Sequence, residues 1–130
     1  MKLKYIALAA CISLLFGGCS VHDPAKDGYR QISMEEAITM MESETDYIIL
    51  DVRRVDEFAA GHIPGAINIP NEDIGTEEIP ELPDKNQLIL VYCRSGTRSK
   101  QASGKLVALG YTNIVEFGGI NSWPGEIVTE

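Results

Sequence analysis

Cys93 is the residue of this chain whose surroundings most plainly promise chemistry. It follows the apolar run Gln87 to Tyr92 and opens the segment Cys93-Arg94-Ser95-Gly96-Thr97-Arg98-Ser99, which leads into a helical pattern. A helix start aims free N–H groups and partial positive charge at whatever precedes it. Gly96 lets the backbone turn tightly, so that successive N–H groups can form an inward-facing nest. Arg94 and Arg98 add fixed positive charge and planar donors. Such a cradle binds an anion. The same field favours the thiolate over the thiol, which makes a cysteine nucleophilic without a separate base. A cysteine at a strand end is, taken alone, an ordinary small buried residue. The strand–Cys–Arg–x–Gly–x–Arg–helix arrangement is what sets Cys93 apart.

The elements around this loop alternate strand-like and helix-like runs. Tyr29 to Ile32 reads as a short strand. Ser33 with Glu36 forms a capping-box pattern ahead of a helix to about Met41, with Ala37, Ile38 and Met41 on one face. Tyr47 to Val52 and Gln87 to Tyr92 are nearly continuous apolar runs, as expected of strands covered on both sides. Val55 to Ala60 is a short helix stopped by Gly61, and Ala66 to Ile69 a short strand fenced by Pro64 and Pro70. Asn71 to Asn86 is acidic, interrupted by Pro80 and Pro83, and reads as loop with one or two helical turns. Thr97 to Leu109 is helical, with Ala102, Leu106 and Leu109 facing inward and Gly110 as the stop. Asn113 to Glu116 is a last strand. This order predicts an α/β domain on a mostly parallel central sheet flanked by helices. Ligands of such sheets bind beyond the carboxyl ends of the strands, where Cys93 lies.

At this point the chain resembles the single-domain rhodaneses. Cys93 to Arg98 is similar to their six-residue active-site loop. Asp51-Val52-Arg53 with Glu57-Phe58, the stretch Gly61-His62-Ile63-Pro64-Gly65-Ala66, and Gly118-Gly119-Ile120 with Trp123 resemble three further family segments in the same order. The resemblance runs from about Tyr29 to Trp123. It implies a rhodanese-like fold and a sulfurtransferase. The Cys93 thiolate would take the outer sulfur of a small donor such as thiosulfate and pass it, as a persulfide, to a thiol or cyanide acceptor. Arg94, Ser95, Gly96, Thr97 and Arg98 would bind the donor and the persulfide. Asp51 and His62 read as structural, Trp123 as a core cover or a neighbour of the loop, and Lys100 and Lys105 as a solvated helix face. No cofactor is expected, and the isolated His22 and His62 give no zinc pattern.

Rival readings come from the same loop. A cysteine phosphatase holds phosphate in a Cys-x5-Arg loop, whereas Arg98 closes a Cys-x4-Arg loop here. Arsenate reduction by the same thiol is a further minor rival. A non-catalytic binding or persulfide-relay module is a rival of another class, but such modules often lose the cysteine that this chain keeps.

Residues 1–18 have the layout of an export signal: Lys2 and Lys4, then an apolar stretch from Ile6 to Phe16 that is too short to span a bilayer, which takes about 20 residues. Phe16-Gly17-Gly18-Cys19 resembles the lipobox of bacterial lipoproteins, departing from it at Phe16, where leucine is usual. The resemblance implies lipidation of Cys19 and a membrane-anchored lipoprotein of the bacterial envelope. Residues 19–28 would be a tether and 29–130 the rhodanese-like domain. Of the three cysteines, Cys11 leaves with the signal and Cys19 is lipidated, so Cys93 remains as a lone thiol. In an oxidising compartment it calls for a reducing or persulfide-relay partner. Nine Lys+Arg against 19 Asp+Glu then give a charge of about −10, which argues against nucleic acid as a partner.

Overall fold

A computed structural model describes residues 27–129. The signal segment, Cys11, Cys19, His22 and most of the expected tether lie outside the described residues. In chain order the elements are β1 (Arg30–Gln31), α1 (Met34–Ser43), β2 (Tyr47–Asp51), α2 (Val55–Ala60), β3 (Ile67–Asn68), a 3-10 turn (Asn71–Asp73), β4 (Leu88–Cys93), α3 (Thr97–Ala108), β5 (Ile114–Gly119) and a second 3-10 turn (Ile120–Ser122). The strands form one sheet in the order β1-β5-β4-β2-β3, and the pairings are parallel. An antiparallel bridge between His62 and Val128 ties the chain end to the loop after α2. The expected α/β architecture is the one observed.

Parallel pairing aligns the carboxyl ends of β2, β4 and β5 along one edge, which brings Asp51, Cys93 and Gly119 together there. The two apolar runs explain the centre of the sheet: Leu50, Ile89, Leu90 and Val91 are fully buried. Side chains alternate across the sheet. Leu50, Val52, Ile89, Val91, Cys93 and Ile114 face Ala102 and Leu106 of α3. Ile49, Leu90, Tyr92, Val115 and Phe117 face the other way, toward Ala37 of α1.

The predicted capping box starts α1: Ser33 Oγ accepts from Glu36 N–H at 3.0 Å, and Glu36 Oε1 accepts from Ser33 N–H at 2.8 Å. The inner face of α1 differs from expectation. Met34, Met40 and Met41 pack on the core with Ala37, whereas Ile38 is half-buried outside it. Flexible methionines fill the irregular gap between helix and sheet.

The acidic stretch Asn71 to Asn86 holds a single 3-10 turn, Asn71–Asp73, and does more than connect. Its Ile74, Ile79 and Leu82 are buried against the α3 face of the core, so scattered apolar residues turn a loop into a wall. Tyr111 Oη donates to Leu82 O at 2.6 Å, and Lys105 Nζ donates to Asn71 O at 2.9 Å and to Asn71 Oδ1 at 3.0 Å. Lys105 is therefore a clamp on this wall and not part of a solvated face; Lys100 is exposed as expected.

Asp51, at the end of β2, is fully buried and meets Arg53 through several hydrogen bonds, the shortest 2.7 Å. Burial works against the Arg53 charge, but Asp51 outweighs it and raises the guanidinium pKa. The same guanidinium donates to Gly61 O at 2.7 Å, so the pair fixes the turn after α2. Removing one partner leaves an uncompensated buried charge. Arg53→Met is expected to lower unfolding free energy by about 3–5 kcal/mol, and adding Asp51→Asn should recover part of it; denaturant unfolding of both variants checks this.

Candidate active site

Cys93 Sγ sits at the mouth of α3, and the residue is only 1% exposed. Gly96 N–H donates to it at 3.1 Å, and Ser99 Oγ lies 3.4 Å away. Gly96 reaches this position with φ +118°, in the left-handed region that disfavours side chains. The N–H groups of Thr97, Arg98 and Ser99 open α3 and have no intrahelical acceptor. Gly96 N–H and the start of α3 thus lie beside the sulfur, at the place where the cradle is expected.

The loop is held from beneath by β5. Pairing runs Val91↔Glu116 and then Cys93↔Gly119, so β5 carries an extra residue beside the cysteine. Such a bulge re-aims side chains. Here it coincides with Gly118 at φ +98°. Gly119 lies directly under the loop: a Cβ there would stand 1.9 Å from Arg94 O and 2.5 Å from Ser95 N. Asn121 N–H donates to Arg94 O at 3.2 Å and ties the following turn to the same carbonyl. Gly119 is thus a steric requirement of the loop, whereas Gly118 is required by its positive φ.

The expected donor-binding residues take different places. Arg94 is exposed, and no ion pair forms on it among the described residues. Ser95 and Thr97 are exposed, and Ser95 and Gly96 border a cleft of about 370 Å³ that runs toward Ser33, Met34 and Glu36 at the start of α1. Arg98 points to α2, where Glu57 receives two of its donors at 2.7 and 3.2 Å. Hydrogen bonds from Arg98 hold the Glu57 carboxyl down from its ordinary 4.5 to about 2, and Glu57 in return raises the pKa of Arg98. Arg98 feels the Cys93 sulfur as well, which adds to that rise.

The remaining motif residues build the frame. His62 is 3% exposed; its ring stacks on Phe58 at 3.6 Å, and Nδ1 is 2.8 Å from Phe58 O. It fixes a loop, as expected. Ile63 N–H donates to Tyr92 Oη at 3.1 Å; burial first, then Asp51, push the Tyr92 phenol well above its usual range. Trp123 packs half-buried on the α1-facing core, its Nε1 donating to Glu126 O at 2.9 Å.

Two residues beside the sulfur escaped the sequence reading. Ser99 is fully buried, and its Oγ lies 2.5 Å from Glu116 Oε2 and 3.0 Å from Gly96 O. Glu116 is 2% exposed and also accepts from Gly118 N–H at 2.9 Å. The signal was present: Glu116 lies two residues after the core residue Ile114, so strand alternation places a carboxylate on the cysteine's face.

Fold and loop define the class: a parallel α/β domain that holds the Cys93 thiol beside the start of α3, at the carboxyl edge of its sheet. The rhodanese-like domain family matches residues 33–126. The thiosulfate sulfurtransferase PspE of Escherichia coli is 38% identical over 71 residues, covering 55% of this chain and 68% of PspE. A sulfurtransferase of Allochromatium vinosum is 34% identical over 96 residues, covering 72% of this chain and 86% of that protein. The crystal structure of a rhodanese-related protein from Thermoplasma volcanium superposes with a TM-score of 0.65 at 30% identity, covering 78% of this chain and all of that one. The chain spans 27% of the adenylyltransferase and sulfurtransferase UBA4 of Candida albicans, which it also matches. The chain belongs to the rhodanese-like family.

Gly119→Ala is expected to push the loop off its seat and to lower sulfur transfer by roughly 100-fold, since displacement of about 1 Å carries that cost, while circular dichroism stays native. Because Glu57 ionises more readily in the folded state, its ion pair adds stability that is fully present above pH 4.5 and is lost as pH falls toward 2. The stability gap between wild type and Glu57→Gln should therefore close over that interval in urea unfolding; a gap independent of pH would contradict the pairing.

Proposed function

We propose that the protein is a sulfurtransferase that carries sulfane sulfur on Cys93. The observation that supports this most directly is the buried sulfur receiving Gly96 N–H at 3.1 Å at the head of α3. The thiolate attacks the outer sulfur of a donor such as thiosulfate, the S–S bond of the donor breaks, and sulfite leaves with its electron pair. Cys93 then bears an anionic persulfide, and a thiolate or cyanide takes the outer sulfur and returns the Cys93 thiolate. The N–H groups at the start of α3 are positioned to hold the persulfide anion. Arg94, the exposed loop cation, meets the incoming donor, while Arg98 contributes its charge from the Glu57 pair. Ser95 and Thr97 line the approach. The short loop, in which Arg98 comes five positions after Cys93, favours a sulfur over a tetrahedral phosphate.

The proposal includes export. Residues 1–19 support a signal ending at a lipidated Cys19, with the domain tethered to an envelope membrane. Among the described residues no helix is long and apolar enough to cross a membrane. The anchor in this reading is a lipid on Cys19. A lone exported thiol further requires a reducing or persulfide-relay partner.

Purified protein is expected to form thiocyanate from thiosulfate and cyanide with two-step exchange kinetics, and Cys93→Ser to reduce this to background. Equal activity in the serine variant would remove Cys93 from the reaction. In cells, a palmitate analogue should label the wild type and not Cys19→Ser, and loss of thiol-reducing pathways should oxidise Cys93. Equal labelling would refute the anchor, and an unchanged Cys93 redox state would refute the reducing partner.

A further inference from the structure

Beneath the anion cradle lies a second acid. Glu116 is 2% exposed, and no lysine, arginine or histidine pairs with it among the described residues. Its Oε2 takes Ser99 Oγ at 2.5 Å and Gly118 N–H at 2.9 Å. The Ser99 contact is in the range of a charge-assisted O–H···O bond. Ser99 Oγ is in turn 3.4 Å from Cys93 Sγ. A buried carboxylate and a sulfur anion are thus separated by one hydroxyl. Two such anions so close together disfavour each other's ionisation, and burial without a cation adds to the cost. A site built to hold anionic sulfur contains a carboxylate that opposes it.

Counting protons resolves the conflict. Ser99 has a single hydroxyl proton and can send it to one neighbour at a time. With Cys93 as a thiol, S–H points to Ser99 Oγ and Ser99 O–H points to the Glu116 carboxylate. With Cys93 as a thiolate, protonated Glu116 donates to Ser99 Oγ, and Ser99 O–H donates to the sulfur. No heavy atom needs to move between the two arrangements. We infer that Glu116 stores the proton given up by Cys93, received through Ser99, and stays neutral while the sulfur is anionic.

The step balances internally: the Cys93 S–H bond breaks, its proton passes to Ser99 Oγ, and the Ser99 proton passes to Glu116 Oε2. Thiol and carboxylate become thiolate and carboxylic acid with no change in total charge. The persulfide formed from thiosulfate is also an anion, so the proton remains on Glu116 through the transfer cycle. Other ionisable groups near Glu116 are Glu36 of α1 and Lys100 of α3, which border the same cleft. Ahead of β1 are Asp27 and Tyr29; burial first, then Asp27 and Glu116, raise the Tyr29 phenol. On the far side of Cys93 stands Arg98, engaged by Glu57. Glu116 is a positioning residue that acts through Ser99; Ser99 is the group in contact with the sulfur.

The inference rests on Cys93 being the reactive sulfur, and its test needs no sulfur donor, so its failure is separate from failure of the transfer reaction. Infrared difference spectra of the full-length protein at neutral pH, reduced and then alkylated with iodoacetamide, read the carboxylic-acid C=O stretch directly. The reduced wild type should show an acid band that is lost when alkylation neutralises the sulfur, because Glu116 then releases its proton. The band should be absent from Glu116→Gln. In Ser99→Ala, which keeps Glu116 and guards against a folding defect in the glutamine variant, alkylation should leave the acid region unchanged. An absent acid band in the reduced wild type, or one that alkylation does not alter, would overturn the inference.

Discussion

The active loop lies on bare backbone. Arg94 and Ser95 rest against Gly119 so closely that a single methyl group would overlap the Arg94 carbonyl. This contact sets the height of the loop above the sheet and so the depth of the Cys93 sulfur. It also determines whether Gly96 N–H reaches that sulfur and whether the free amides of α3 converge above it. A nest of amides works only when its members are held at one distance from one centre. The glycine pair at the end of β5 supplies that constraint, and the bulge beside it turns Glu116 and Gly118 toward the same point.

A second tier holds the sides. Asp51 and Arg53 lock the turn after α2, and His62 bridges that turn to the chain end. With α2 fixed, Glu57 stands opposite Arg98 and keeps the first turn of α3 from swinging outward. Much of what looks like active-site motif is therefore scaffold. Its contribution to chemistry is to hold the start of α3, and with it the amides, in place before any donor arrives. On the sheet side the acidic segment packs Ile74, Ile79 and Leu82 under the same helix and closes the core.

The fold class, the capping box of α1, the bounds of α2 and the place of Cys93 between β4 and α3 were legible in sequence because each depends on local spacing. Apolar runs marked β2 and β4, and Gly96 marked the turn. What stayed hidden depends on contacts across the sheet. Ile38 was expected on the core face of α1, but Met34 and Met40 pack there beside Ala37 and Met41. Lys105 looked like a solvated residue until Asn71, far away in sequence, proved to receive its ammonium. Arg98 reads in sequence as a donor-binding group, yet Glu57 takes its guanidinium across the fold, and the Ser99–Glu116 link joins two elements with no shared motif. An acidic residue at a period-two core position was the one local sign of that link.

In the proposed reaction Cys93 carries sulfur covalently beside the start of α3. Intact-mass measurement of the reduced protein before and after thiosulfate, beside Cys93→Ser, tests it most directly. A gain of one sulfur atom is expected, removed by thiol or cyanide and absent from the serine variant. No gain on a protein whose Cys93 is reduced and alkylatable, or an equal gain in Cys93→Ser, would contradict it.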